Sequence, residues 1–191
     1  MKGRDVTGAA TRALLNDGVF FLPSDRKSEG LQMTATARGN IELSLLDRAD
    51  VAGPLGFVRP RRSRALTDAI GDKVGIARPA MDRAVSKLSG GNQQKVLFGK
   101  GFGDDRDVYI FDEPTVGVDM GTRMALYQLI KDIAEAGKAV VVISSDLPEV
   151  MNLSHRLLVF AKGRIAAELS GSAIDEENVL KHFFAETEGS A

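Results

Sequence analysis

The sequence predicts an α/β fold with a mainly parallel core sheet, a helical subdomain, and a C-terminal hairpin followed by a helix. Short apolar runs at 19–22, 108–111 and 139–143 are typical of buried strands, and the last two are of the kind covered on both faces. Between those two, apolar residues recur at roughly helical spacing until Gly137, a typical helix stop. A strand, a helix and a strand therefore fit one crossover unit.

The flanking segments supply the remaining elements. Residues 65–74 are predicted to form a helix. Within 157–167, two apolar runs flank a Lys-Gly pair, which is typical of an antiparallel hairpin. Ser172 followed by Asp175 resembles a capping box, and it predicts the start of a last helix.

Composition excludes several classes of function. The 25 Lys and Arg against 26 Asp and Glu leave a net charge of −1, so the chain offers no basic surface for nucleic acid. The absence of cysteine excludes disulfide scaffolds, cysteine zinc sites and thiol nucleophiles, and it fits a reducing compartment. No apolar run reaches the roughly 20 residues of a membrane-spanning helix.

The segment LSGGNQQK at 88–95 is the strongest local motif, and it leads into a helical stretch. Two glycines and a serine at a helix start leave backbone N–H groups uncovered, which favours the binding of an anion such as a phosphate. The alternative is an ordinary helix start that Ser89 caps after a glycine turn.

A second motif places Asp112 and Glu113 at the carboxyl end of a buried strand, where open α/β sheets bind ligands. Successive strand residues point to opposite faces, so the two carboxylates have different roles. One suits Mg²⁺, usually through water, and the other suits the polarisation of an attacking water. The alternative for such a pair on its own is a solvated strand end.

Together these motifs resemble the nucleotide-binding domain of ABC transporters. Residues 88–95 resemble the ABC signature, YIFDEP at 109–114 resembles the Walker B strand, and VGVD at 116–119 lies at the D-loop. LPSDRKSEGL at 22–31, with the GNQQK form of the signature, is similar to the second such domain of the tandem ATPases that drive bacterial ribose, galactose and xylose importers.

The resemblance implies ATP and Mg²⁺ as cofactors and assigns roles by position. Glu113 positions the attacking water, and Asp112 holds Mg²⁺. The signature residues bind the γ-phosphate of the opposite site, and the D-loop aspartate contacts the other domain of the dimer. The implied nucleotide-binding positions are Ser89, Gly90, Gly91, Asn92 and Asp119.

Two positions depart from the usual family pattern. Ser145 stands where most members carry a switch histidine, and its neutral hydroxyl can at best orient the water or the γ-phosphate. Ser24 stands where a Gln or Glu of the Q-loop senses Mg²⁺, and a hydroxyl reaches the metal only through water. Asp25 or Glu29 could substitute there.

A phosphate-binding P-loop, GxxxxGK[ST], is absent from the sequence, because neither Gly99-Lys100 nor Gly137-Lys138 has the required neighbours. We therefore expect 1–191 to be an incomplete ABC ATPase domain, with a helical and signature subdomain at about 32–100 and an α/β core elsewhere. The strand that ends at Asp112 is expected to lack a neighbour, which predicts a marginally folded chain.

The function implied by the resemblance is that of an ATP-hydrolysing component, or a fragment of one, that energises sugar import. The implied partners are a second nucleotide-binding domain, membrane-spanning permease subunits and, indirectly, a sugar-binding protein, on the cytoplasmic face of the plasma membrane. The alternative is a non-catalytic module that lends its signature to a partner. A soluble ABC-type ATPase of DNA repair or translation is disfavoured, since no coiled-coil insertion or basic surface is evident.

Overall fold

The computed structural model describes Met1, residues 3–53 and residues 57–185. The chain divides into two compact units, Met1–Val141 and Val142–Ala191. Across the described part, no helix combines the length and the apolar character needed to span a bilayer.

The first unit contains most of the secondary structure. A π-helical turn, Arg26–Gly30, follows its first strand, and a 3-10 turn, Val85–Lys87, precedes the signature. In chain order its elements are α1 (Thr11–Asn16), β1 (Val19–Leu22), α2 (Ala37–Leu43), α3 (Pro60–Lys73), α4 (Arg78–Met81), α5 (Gly90–Lys100), β2 (Val108–Asp112), α6 (Met120–Glu135) and the start of β3 (Ala139–Ile143).

The core sheet has the order β1-β2-β3, and β1 runs parallel to β2 with Leu22 opposite Phe111. The α/β prediction is therefore confirmed. The expectation that the strand ending at Asp112 lacks a neighbour is wrong, because β2 is the middle strand. Exposed apolar surface lies instead on the outer strands, where Phe21 and Val141 are each 48% exposed.

Strand β3 also departs from its prediction. Every second residue of β3 is exposed, so the strand is not covered on both faces. The prediction failed because an apolar run indicates that a strand is suited to burial. It does not indicate which neighbouring elements cover the strand in the fold.

The helices α2, α3 and α5 pack together, around side chains such as Ile41 and Val96 that are fully buried. Helix α3 begins at Pro60, five residues before the predicted start, since proline at the first helical position presets its φ angle. The described residues between 32 and 100 form these helices and α4 without a strand. The subdomain boundaries at 32–100 remain a prediction.

The second unit contains α7 (Leu147–Leu153), β4 (Arg156–Ala161), β5 (Arg164–Ser170) and α8 (Glu176–Ala185). Strands β4 and β5 are antiparallel, which confirms the hairpin. Lys162 and Gly163 both have positive φ angles, of 48° and 76°, as the tightest hairpin turns require. The buried core of this unit is formed by Val159, Leu169 and Val179.

The predicted capping box before α8 is wrong. Ser172 lies in a 3-10 turn, Gly171–Ala173, and the helix begins only at Glu176. The Asp175 side chain accepts the hydrogen bond from the Asn178 N–H at 2.9 Å, so Asp175 is the capping residue.

The turn after β2 has an unusual backbone at Glu113, whose φ angle is +48°. The Val116 N–H donates to the Glu113 carbonyl at 3.3 Å, and the two central residues of this turn, Pro114 and Thr115, are buried. The left-handed region costs an L-residue about 1 kcal/mol or more, because the Cβ atom crowds the following carbonyl. The residue that carries the second carboxylate is therefore strained.

This strain predicts the relative stability of two variants. Glu113→Gly and Glu113→Ala both remove the carboxylate, but only glycine adopts a positive φ angle without steric cost. We expect Glu113→Gly to exceed Glu113→Ala by about 1 kcal/mol in the free energy of unfolding. Urea unfolding followed by circular dichroism measures the difference, and an alanine variant of equal or greater stability would refute the strained turn.

Candidate functional site

The tip of α5 carries the signature residues. Ser89 is exposed and caps the helix, with its Oγ accepting from the Asn92 N–H at 3.4 Å. Gly90 is partly exposed and begins the helix. The remaining N–H groups of the first turn have no partner within a helix, so capping by Ser89 and anion binding are compatible.

Gly91 is glycine for reasons of packing. It is buried, and a Cβ atom there would lie 2.6 Å from Thr122 Oγ1 and 3.2 Å from Asp119 Oδ2. A substitution of Gly91 would therefore displace the start of α6 as well as any bound anion. The exposed Ser89 is the better position at which to test anion binding.

Asp119 caps α6 as well as lying at the D-loop. Its Oδ1 accepts from the Thr122 N–H at 2.9 Å, and its Oδ2 accepts from the Thr122 hydroxyl at 2.8 Å. The backbone hydrogen bond from Thr122, followed by the side-chain bond, lowers the pKa of Asp119. The carboxylate is therefore ionised and held in place at the surface.

The acidic strand end lies at the expected edge of the sheet. Asp112 is the last residue of β2 and is partly exposed, while Ser24 is exposed two residues beyond the end of β1. Because Leu22 pairs with Phe111 in parallel register, Ser24 and Asp112 share one edge. One carboxylate and one hydroxyl suit Mg²⁺, which keeps several waters. The described residues contain no group of three or more His, Cys, Asp or Glu side chains that is arranged to hold a metal ion.

The other acidic candidates near the Q-loop position have structural roles or are solvated. Asp25 accepts from the N–H groups of Lys27 and Ser28, at 2.9 and 3.1 Å. The side-chain hydrogen bond from Ser28, with those backbone bonds, lowers the pKa of Asp25. Asp25 thus caps the π-helical turn, and Glu29 is exposed.

Ser145 belongs to the second unit. It is exposed in the turn after β3, one residue before Asp146, whose side chain caps α7 by accepting from the Glu149 N–H at 3.1 Å. The Ser144 hydroxyl accepts from the Asp146 N–H at 3.0 Å. The local geometry therefore leaves Ser145 at the surface of a well-capped turn.

Sequence reasoning missed Arg26, which contacts two of the motif segments. Its Nε donates to Gln93 Oε1 and its Nη1 to Gln94 Oε1, both at 3.4 Å. Nη1 also donates to the Val116 carbonyl at 2.8 Å. Arg26 lies within the segment 22–31 that carries part of the resemblance, but no local pattern there shows its distant partners.

The two glutamines of the signature helix donate hydrogen bonds to the backbone carbonyls of neighbouring segments. Gln94 is 3% exposed, and its Nε2 donates to the Pro114 carbonyl at 2.7 Å. Gln93 donates to the carbonyls of Leu88, the first residue of the signature, and of Val85, three residues before it. The tip of α5 is thereby joined to the turn that carries Glu113.

No family model matches the chain. The ribose import ATP-binding protein RbsA 2 of Mesorhizobium japonicum is 38% identical over 182 residues, which are 95% of this chain and 35% of that protein. RbsA 1 of Streptomyces avermitilis is 40% identical over 88% of this chain and 32% of its own length. The arabinose import ATP-binding protein AraG of Rhizobium johnstonii is 37% identical over 88% and 33%. The chain thus spans about a third of the length of each of these curated relatives.

Solved structures show the same fold. A dimeric ATP-binding cassette in a post-hydrolysis state, bound to ADP and phosphate, matches with a TM-score of 0.75 at 21% identity, over 89% of this chain and 71% of that one. A dimeric bacterial ABC transporter cassette matches with a TM-score of 0.70 at 22% identity, over 83% and 65%. In sequence the chain is a homologue of ribose and arabinose import ATP-binding proteins, and in fold it matches the ATP-binding cassettes of ABC transporters.

Proposed function

We propose that the chain contributes the signature helix and the Walker B turn to an ABC-type ATPase that energises the import of a monosaccharide such as ribose or arabinose. The observation that carries the proposal is the direct connection, through Gln94 and the Pro114 carbonyl, between the signature helix α5 and the turn of Glu113. The relatives support the substrate class, since they are named as ribose and arabinose import ATP-binding proteins.

In this proposal the strand end carries the hydrolytic groups. Glu113 orients the water that attacks the γ-phosphate of ATP, and its strained backbone fixes the carboxylate at the turn. Asp112 holds Mg²⁺, with Ser24 contributing through water at the same sheet edge. The metal neutralises negative charge on the phosphates.

The signature residues act on the nucleotide of the opposing site. Ser89, Gly90 and Asn92 present the α5 tip to the γ-phosphate. Gly91 allows that tip to approach the start of α6. Asp119 contacts the opposing domain, and Ser145 orients the water or the γ-phosphate through its hydroxyl.

The proposed partners follow from this arrangement. A second nucleotide-binding domain closes over the signature, in keeping with the dimeric state of the solved cassettes. Permease subunits take up the motion on the cytoplasmic face of the plasma membrane, and a sugar-binding protein delivers the substrate. Nucleic acid is not a proposed partner, given the balanced charge.

A second candidate is a module that lends its signature to a partner without hydrolysing ATP. It is favoured by one observation: among the described residues, the signature helix and its cap are complete. The two candidates differ in whether Glu113 is needed for hydrolysis.

The first test compares Glu113→Gln with Glu135→Gln in the transporter purified with this chain and reconstituted in liposomes. We expect Glu113→Gln to lower ATP turnover about 100-fold or more, because it removes the group that activates the water. Glu135 is exposed at the end of α6, and Glu135→Gln should leave turnover within about twofold of wild type. Turnover at the wild-type rate in Glu113→Gln would reject the hydrolytic role and leave the second candidate.

The second test concerns the anion site at the α5 tip. Asp, Asn and Ser are comparable helix caps, so Ser89→Asp and Ser89→Asn should both keep the fold. A carboxylate beside a bound phosphate is repelled, and we expect Ser89→Asp to lower turnover about 100-fold. Ser89→Asn should lower it by less than about tenfold, since it adds no charge.

Thermal unfolding of both Ser89 variants serves as the control, because equal melting temperatures exclude a loss of capping. Equal turnover in Ser89→Asp and Ser89→Asn would contradict a phosphate at this position. That result would reject both candidate functions, since each depends on the signature tip.

A further inference from the structure

The Arg26 side chain bridges two segments that are distant in the sequence. Its acceptors belong to the signature helix, through Gln93 and Gln94, and to the loop after β2, through the Val116 carbonyl. The acceptors lie 67, 68 and 90 residues further along the chain. A single guanidinium thus contacts the element that carries the signature and the loop that runs from Glu113 into the D-loop.

Two glycines line the same guanidinium. A Cβ atom on Gly90 would lie 3.1 Å from Arg26 Nη2 and 3.0 Å from the Gly117 carbonyl. A Cβ atom on Gly117 would lie 3.4 Å from the same Nη2. The first residue of the signature helix and the loop therefore approach each other closely, with Arg26 beside both.

We propose that Arg26 is a positioning residue that holds the α5 tip and the loop 114–117 in one arrangement, so that engagement of a nucleotide phosphate at the tip is transmitted to the turn of Glu113. The inference rests on the proposed function and deepens it. The signature of one site and the carboxylate of the other are linked within a single chain.

Arginine suits this role for a geometric reason. Its planar guanidinium presents five N–H donors in a fixed fork. Here it donates to the side-chain amide oxygens of Gln93 and Gln94 and to the backbone carbonyl of Val116. Lysine keeps the charge but offers a compact ammonium on a flexible stem. Arg26→Lys should therefore lose most of the bridge while keeping the charge.

The link continues through Gln94. Its Oε1 accepts from Arg26, and its Nε2 donates to the Pro114 carbonyl, one residue after Glu113. A shift of α5 that moved Gln94 would therefore act on the turn directly at Pro114 and, through Arg26, at Val116.

The competing explanation is that Arg26 only fastens the π-helical turn to α5. Lys100 provides the matched control, because it fastens the other end of that turn by donating to the Gly30 carbonyl at 2.6 Å. Within the described residues, the hydrogen bond of Lys100 goes to Gly30 and not to the loop 114–117. Lys100→Met thus loosens the turn and leaves the bridge in place.

The first measurement is amide hydrogen exchange on the 191-residue chain. We expect Arg26→Gln and Arg26→Lys to raise exchange about tenfold in peptides covering 88–93 and 113–119. Lys100→Met should raise exchange near 28–31 only. Unchanged exchange in 113–119 in both Arg26 variants would overturn the proposal, and so would an equal increase there in Lys100→Met.

The second measurement uses the reconstituted transporter. Misplacement of the turn should lower kcat for ATP by roughly 10- to 100-fold in both Arg26 variants. The KM for ATP should stay within about twofold, because a positioning residue touches no nucleotide. Wild-type kcat in both variants, or a rise in KM alone, would overturn the positioning role.

The two proposals fail separately. If wild-type transporter shows no ATP turnover, the proposed function fails, while hydrogen exchange still decides whether Arg26 joins the two segments. Unfolding of both Arg26 variants, seen by circular dichroism, would overturn the positioning role in favour of a role in folding alone.

Discussion

The hydrogen bond from Gln94 Nε2 to the Pro114 carbonyl is the interaction on which the arrangement of the site depends. It is 2.7 Å long and buried, and it joins α5 to the turn after β2 across 20 residues of sequence. A buried hydrogen bond of this kind is costly to break, because each group would lose its partner without gaining water. The bond therefore ties the signature helix to the residue that follows Glu113.

Different parts of helix α5 contribute to the hydrophobic core and to the candidate site. Its middle is in the core, where Val96, Leu97 and Phe98 are buried. Its first residue and its cap stay at the surface, where unpaired N–H groups favour an anion. The strain at Glu113 is tolerated because the surrounding contacts, including the buried Thr115, hold the turn in place.

Local sequence patterns were sufficient to locate the strands and the hairpin. The Lys-Gly pair at 162–163 predicted a tight hairpin turn. Such a turn needs two successive residues with positive φ angles, and glycine adopts a positive φ angle readily. Contacts between distant segments were not predictable in this way. Arg26, the packing of Gly91 against Thr122, and the exposure of β3 all depend on which segments meet in the fold, and periodicity does not encode that. The cap at Asp175 was missed because Ser172 fits the same local motif.

The most direct measurement is a structure of the assembled ATPase with a non-hydrolysable ATP analogue. We expect a γ-phosphate oxygen within about 3 Å of the Ser89 hydroxyl or the Gly90 N–H. We also expect Gln94 to remain bonded to the Pro114 carbonyl. A triphosphate bound away from the α5 tip, with Ser89 facing solvent, would contradict the assignment of this helix as a nucleotide-binding element.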